Sequence, residues 1–346
     1  MANYLMYGAN GYTGTLIGRH ALSRGHRPIL AGRNGAEVSA LAASLGLESR
    51  IFGLEAIDHG LEGVSAVLHC AGPFARTAKL MASACLRAGV HYLDVTGEIV
   101  VFDTLAAMDG LARKAGVMLM PGVGFDVVPT DCLAAHLKRR LPTATRLRLG
   151  FQIEGGVSRG TARTMMENLG AGGAVRKRGK IVRVPACWKT RRIDFGLGPT
   201  MAMTIPWGDV STAWHSTGIP DIEVYLAAPI STRIFARLSR HLNWLLASKF
   251  VQRRLDRKIT SGPAGPSEER RERGASFVWG QALDDRGCRV TSRLRGPEGY
   301  TMTALTAGAI VERVLAGEAR PGFQTPSRVY GADFILGVPG VERVDG

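Results

Sequence analysis

Gly8-Ala9-Asn10-Gly11-Tyr12-Thr13-Gly14 places three glycines at the spacing Gly-x-x-Gly-x-x-Gly. The short apolar run 3–9 leads into it, and residues 14–25 follow with Leu16, Ile17 and Ala21 at helical spacing before Gly25 ends the pattern. The glycines therefore lie between a strand and a helix, the context that a dinucleotide fingerprint requires. The spacing asks for a tight turn at Gly8, close backbone approach to a pyrophosphate at Gly11 and close helix–strand contact at Gly14. Phosphates would meet free N–H groups at the helix N-terminus, with Asn10, Tyr12 and Thr13 beside them. Alone, such a triplet is equally a glycine-rich turn.

Working outward, Pro28-Ile-Leu-Ala-Gly-Arg33 reads as a second strand. Its end, Gly32-Arg33-Asn34, falls 19 residues past Gly14, where an NAD enzyme usually carries an acid for the ribose 2′-hydroxyl. A guanidinium instead suits a 2′-phosphate, so Arg33 and Asn34 argue for NADP(H). Residues 49–54 form a third strand, with Leu54 near the adenine, and 64–70 a buried fourth that ends in Cys70-Ala71-Gly72-Pro73-Phe74, facing the nicotinamide ribose. A helix over 78–88 precedes the strand 91–95 and Thr96-Gly97-Glu98; a helix over 99–114 leads to strand 117–120 and Pro121-Gly122-Val123-Gly124-Phe125-Asp126. Alternation of this kind predicts a Rossmann domain with a doubly wound parallel sheet over residues 1–130.

The composition fits a folded chain of two domains: 346 residues, 45% hydrophobic and 21% charged. Five scattered cysteines give no metal-ligand spacing and no disulfide framework, so no metal is expected. No signal peptide or spanning segment is read, which predicts a cytoplasmic protein. Residues 1–130 hold 10 Lys+Arg and 10 Asp+Glu, while the rest hold 34 and 19, which is the whole net charge of +15. A basic second half suggests something acidic to meet it, although no nucleic-acid module is present.

The ordered set Gly8–Gly14, Leu30–Arg33, Cys70–Phe74, His91–Glu98, Pro121–Asp126 with Pro129-Thr-Asp131, Pro321–Ser327 and Tyr330–Phe334 resembles the saccharopine dehydrogenase-like oxidoreductases, on the branch with bacterial trans-acting enoyl reductases. The resemblance covers the first domain well, is patchier over 135–300, and resumes near the C-terminus. It implies an α/β chain in which the Rossmann domain carries an inserted α+β domain with a mostly antiparallel sheet, over 131–320. A segment 321–346 would return to the first domain. The residues are compatible: 146–153 alternates, 276–283 and 288–294 flank the turn Asp284–Gly287 as a hairpin, and 301–315 is helical. No residue set suited to an amino-dicarboxylate is visible, which argues against saccharopine as substrate.

Two stretches of the second half are basic. Residues 176–192 hold eight cations and no acid, as suits a solvated face or a docking site. In 230–258, Ile230, Ile234, Leu238 and Leu242 recur at helical spacing among eight cations. Such a helix either packs on the core or meets an anionic membrane surface or an acidic acyl carrier protein. A homodimer is left open.

The expected reaction is hydride transfer from NADPH to an activated C=C bond of a lipid or polyketide-like acyl substrate. Tyr92, Asp94, Glu98 and Asp126 are the candidate catalytic groups at the strand ends, and Thr96 and Gly97 the candidate cofactor contacts beside them. The carboxylates could instead be structural. The alternatives are a C–N bond-forming or bond-cleaving dehydrogenase, and a membrane-peripheral NADP(H)-binding protein without turnover.

Overall fold

A computed structural model describes residues 3–167, 172–239, 254, 257 and 259–346. In chain order the first half contains β1 (Tyr4–Tyr7), α1 (Tyr12–Ser23), β2 (Ile29–Gly32), α2 (Gly35–Leu45), β3 (Ser49–Ile51), α3 (Ile57–Gly60), β4 (Ala66–His69), α4 (Phe74–Ala88), β5 (His91–Asp94), α5 (Ile99–Ala106), α6 (Asp109–Lys114) and β6 (Met118–Met120). Next come α7 (Val128–Arg140), β7 (Arg146–Ile153), α8 (Arg159–Glu167), β8 (Gly173–Lys177), β9 (Lys180–Val184), β10 (Thr190–Asp194), β11 (Pro199–Thr204), α9 (Asp209–Thr217), β12 (Asp221–Ala227) and α10 (Ile230–Ser239). The remainder is α11 (Glu268–Arg273), β13 (Ala275–Leu283), β14 (Arg289–Pro297), α12 (Gly299–Leu315), β15 (Gly322–Phe323), α13 (Pro326–Tyr330) and β16 (Glu342–Asp345).

The chain divides into two compact units: Met1–Val128 with Tyr300–Gly331, and Pro129–Gly299 with Ala332–Gly346. The first is a seven-stranded sheet in the order β15-β6-β5-β4-β1-β2-β3, parallel throughout. Tyr4–Tyr7, Ile29–Gly32 and Ala66–His69 are buried along their whole length. Helices cover both faces of such a sheet, so its strands read as unbroken apolar runs and not as alternation. The second unit is a sheet in the order β10-β11-β12-β7-β13-β14-β16, with β8 and β9 paired off its path. Only the β12–β7 pair of that central run is parallel, so the sheet is mostly antiparallel. On β7, Leu147, Leu149 and Phe151 are buried, while Ile153, expected on the same face, is exposed.

Three features differ from the sequence reading. The expected continuous helix 99–114 is two helices, because Asp109 starts a new one. Its carboxylate accepts from Arg113 Nε and from Phe323 N of β15, both at 2.8 Å; the break has a local signal in Asp109-Gly110, but the tertiary bond has none. Helix α12, expected in the inserted domain, belongs to the first unit. Its Gly308 lies so close to α1 that a Cβ there would come 2.9 Å from His20. The last strand, expected with the first domain, pairs with β14 of the second sheet. Of the basic stretch 230–258, α10 is described; 240–253, 255–256 and 258 lie outside the described residues.

Helix α12 also grips the loop that follows β6. Thr303 Oγ1 accepts from Phe125 N at 3.0 Å, and Thr306 Oγ1 donates to Val123 O at 2.9 Å. Thr303→Val keeps the shape but strands the buried Phe125 N–H. It should lower stability by about 1–3 kcal/mol, seen as a lower urea midpoint with an unchanged denaturant slope.

Candidate cofactor-binding and catalytic site

The turns after β1 and β4 meet where the strand order reverses, the place at which open α/β sheets bind ligands beyond their carboxyl ends. Gly8 has φ +82°, and a Cβ there would lie 2.7 Å from Ala71 Cβ. At Gly14 a Cβ would fall 2.5 Å from Gly8 O. These two glycines are demanded by protein against protein. Gly11 is different: a Cβ there would meet only Gly8 O, at 3.3 Å. Gly11 is also the N-cap of α1, and no side chain caps that helix end. Tyr12 stacks edge-on against Tyr300 at 5.0 Å, while Thr13 is half-buried beside it.

At the end of β2, Arg33 is exposed and makes no hydrogen bond or ion pair with any described residue. Asn34 accepts from Glu37 N at 3.4 Å and so caps α2. Asn10 Nδ2 in turn donates to Glu37 Oε2 at 2.6 Å. Sequence reasoning missed Glu37, an acid beside the very strand end read as cationic. Its signal was the spacing Asn34-x-x-Glu37, that of a capping box. Leu54 is half-buried against the apolar core of the sheet.

After β4, the Cys70 backbone N–H donates to Tyr7 O, and burial pushes its thiol up, so it carries no thiolate. Ala71 closes on Gly8; the Gly72–Pro73 peptide is cis, and Gly72 is exposed. Thr77 Oγ1 donates to Ala71 O at 2.9 Å, so its bond of 2.8 Å with His69 Nε2 is one that the imidazole donates. Burial holds His69 down at about 3, neutral at any working pH.

The candidate catalytic groups separate by environment. The Tyr92 hydroxyl is buried and donates to Asp94 Oδ2 at 2.7 Å. Asp94 Oδ1 accepts from Thr96 N and Gly122 N, both at 2.9 Å. Desolvation raises the Asp94 carboxyl to about 6, against the pull of these bonds. Glu98 spans to the start of α4, accepting from Phe74 N and Ala75 N at 3.0 Å each; an anion is well placed at that positive helix end. Thr96 is buried, and its hydroxyl accepts from Glu98 N at 3.1 Å. Tyr92, Asp94 and Glu98 thus hold the strand ends together.

Asp126 stands apart. It is only partly covered, and it lies against Gly97, where a Cβ would come 2.7 Å from Asp126 Oδ2. Desolvation raises its carboxyl to about 7, so near neutrality it is half protonated. The structure brings Asp126 and Gly97 together on the carboxyl side of β5 and β6. Among the described residues no group of His, Cys, Asp and Glu is arranged to hold a metal, and no helix is long and apolar enough to cross a membrane.

No family model matches the chain. It is 24% identical to a trans-acting enoyl reductase of Mycobacterium ulcerans, over 97% of this chain and 95% of that protein. A trans-acting enoyl reductase of Mycobacterium bovis is 30% identical over 39% of this chain and 35% of its own length. In structure, the chain is similar to saccharopine dehydrogenase (L-Glu forming) from Saccharomyces cerevisiae, with a TM-score of 0.67, 12% identity and full coverage of both chains. An amine dehydrogenase from Mycobacterium smegmatis gives 0.50 at 12% identity, covering 96% and 95%. At these identities the structural likenesses establish the fold.

Asp94→Ala would strand three buried donors at once and should cost about 3–5 kcal/mol. Asp94→Asn, which keeps an acceptor and sheds the charge, should cost far less. Because the folded-state value lies above the unfolded one, the Asp94 contribution favours the fold at low pH and is lost as pH rises from about 4 to about 6. Urea titrations across that range should show the decline in wild type and its disappearance in Asp94→Asn.

Proposed function

We propose that this saccharopine dehydrogenase-like chain is an NADPH-dependent reductase of a C=C bond conjugated to a carbonyl, on an acyl substrate. The observation that carries the reading is the glycine turn at the strand-order reversal with an unengaged Arg33 at the neighbouring strand end. The residues fit a dinucleotide. Gly8 and Gly14 are filled by protein, whereas Gly11 leaves room on the uncapped end of α1 for a pyrophosphate. Arg33 is free to clasp a 2′-phosphate, whereas Glu37, the group that would prefer a 2′-hydroxyl, is tied to Asn10.

Bound there, the cofactor would supply the hydride for the β-carbon of the acceptor. Asp126, whose raised pKa leaves about half of it protonated near neutrality, would give its proton to the α-carbon, completing the saturated product. Tyr92, Asp94, Thr96 and Glu98 are positioning residues, keeping the loops on either side of Asp126 in register. The name carried by the mycobacterial relatives supports the same class of reaction. An acidic carrier protein delivering the acyl chain suits the positive surplus of residues 131–346.

NADPH oxidation should accelerate with α,β-unsaturated acyl thioesters and not with keto acid plus amine; the reverse pattern would assign C–N chemistry. Arg33→Asp should weaken NADPH by roughly 10- to 100-fold and leave NADH almost unchanged, since a charged hydrogen-bond pair is at stake. Equal losses would overturn the 2′-phosphate assignment. With Asp126 as proton donor, log kcat should fall as pH rises through about 7. Asp126→Asn should lower kcat by about 10²–10⁴-fold and abolish that limb.

A further inference from the structure

Helix α10 turns its apolar side away from its own domain. Ala236 is the residue that packs inward, against the small cluster of Cys187, Met203 and Ala228. At 100° per residue, Ile230, Ile234 and Leu238 fall within about 60° of the point opposite Ala236, with Phe235 on one flank. All four are open to solvent: Ile230 is 66% exposed, Ile234 50%, Phe235 51% and Leu238 54%. The other flank carries the exposed Arg237, while Arg233, 60° from Ala236, is half-buried with its Nε out of water, and the helix contains no acid. A surface helix normally does the opposite, burying its apolar stripe and wetting its charges. A contiguous exposed apolar patch with a cation at its edge is what remains here, and such a patch marks an interaction site.

We propose that α10 seats this protein on an anionic lipid surface. The helix offers a convex apolar ridge with no groove for a peptide. Ile230, Ile234, Phe235 and Leu238 would enter the boundary between headgroups and acyl chains, and Arg237 would reach the lipid phosphates beside them. The charge of the chain agrees, because residues 131–346 carry the whole net surplus of positive charge. A second copy would bring like-charged arginines together with no acid in the helix to answer them. An acidic protein would answer the arginine and leave the apolar ridge unburied. The inference stands apart from the reaction proposed above, since no residue of α10 belongs to the cofactor turn or to the Asp126 loop.

The test is co-sedimentation of the full chain with vesicles of phosphatidylcholine, alone or with roughly one-third phosphatidylglycerol. Binding should appear with the anionic vesicles and weaken with added salt. Arg237→Gln should lower the partition about fivefold at low salt, the share of one surface cation. Ile234→Glu combined with Leu238→Glu should abolish binding. These side chains are exposed, so the circular dichroism and urea midpoint of that variant should match wild type. Three results would overturn the proposal: equal partition into neutral and anionic vesicles, binding that survives Ile234→Glu with Leu238→Glu, or a wild-type dimer that the same pair dissolves while no vesicle binding is seen.

Discussion

A carboxylate shut away from water must be answered by donors, and Asp94 is answered three times. The Tyr92 hydroxyl, Thr96 N and Gly122 N all point at its two oxygens, and its main-chain carbonyl takes Val123 N as well. Two of those bonds, from Gly122 and Val123, join the end of β5 to the loop beyond β6, and the other two tie that end to itself. Helix α12 completes the frame from the other side through Thr303 and Thr306. Asp126 is therefore carried on a segment pinned at both flanks, and its carboxyl lies where Gly97 leaves room for it. Preorganisation of this kind is what a proton donor needs, since a misplacement of about 1 Å can cost 10²-fold in rate.

The geometry of the candidate cofactor turn was legible because its constraints are local. A glycine that must adopt a positive φ, a strand that must be apolar throughout and a cation at the end of the second strand all leave their mark within a few residues. The catalytic half was less legible. Tyr92, Asp94, Glu98 and Asp126 look alike as polar residues at strand ends, and only their partners tell them apart. Glu98 is claimed by the start of α4 and Asp94 by three donors, while Asp126 is left half covered with a raised pKa. Partners so distant in sequence cannot be read from spacing. The same holds for Asp109, whose partner Phe323 lies far along the chain.

In the second unit the charge pattern misled in one place and informed in another. Arg176, counted in a basic run, is buried: its guanidinium donates to Val210 O and Gly179 O and stacks over Trp214 at 5.3 Å. Lys177 and Lys189 both lie over the Trp188 ring, and Lys189 also pairs with Glu223. Several of these cations are thus taken up by the fold. The pattern over α10 held a different message, because periodicity located the apolar stripe correctly but could not say which way it faced.

The path of the chain through the two sheets has a consequence for synthesis. The first sheet is opened by Tyr4–Tyr7 and closed by Gly322–Phe323, and the second is closed only by Glu342–Asp345. A ribosome delivering this chain from its N-terminus releases nearly all of the second unit before the first can gain α12 and its last strand. Until then the edge of β6 and the loop that α12 will clamp stay open, and unpaired strand edges invite association. The pairing of Gly322 with Met118, some two hundred residues apart, also forms late, since a long loop must close first. The nascent protein is thus exposed for most of its elongation, and the loop that carries Asp126 is among the last parts to be set.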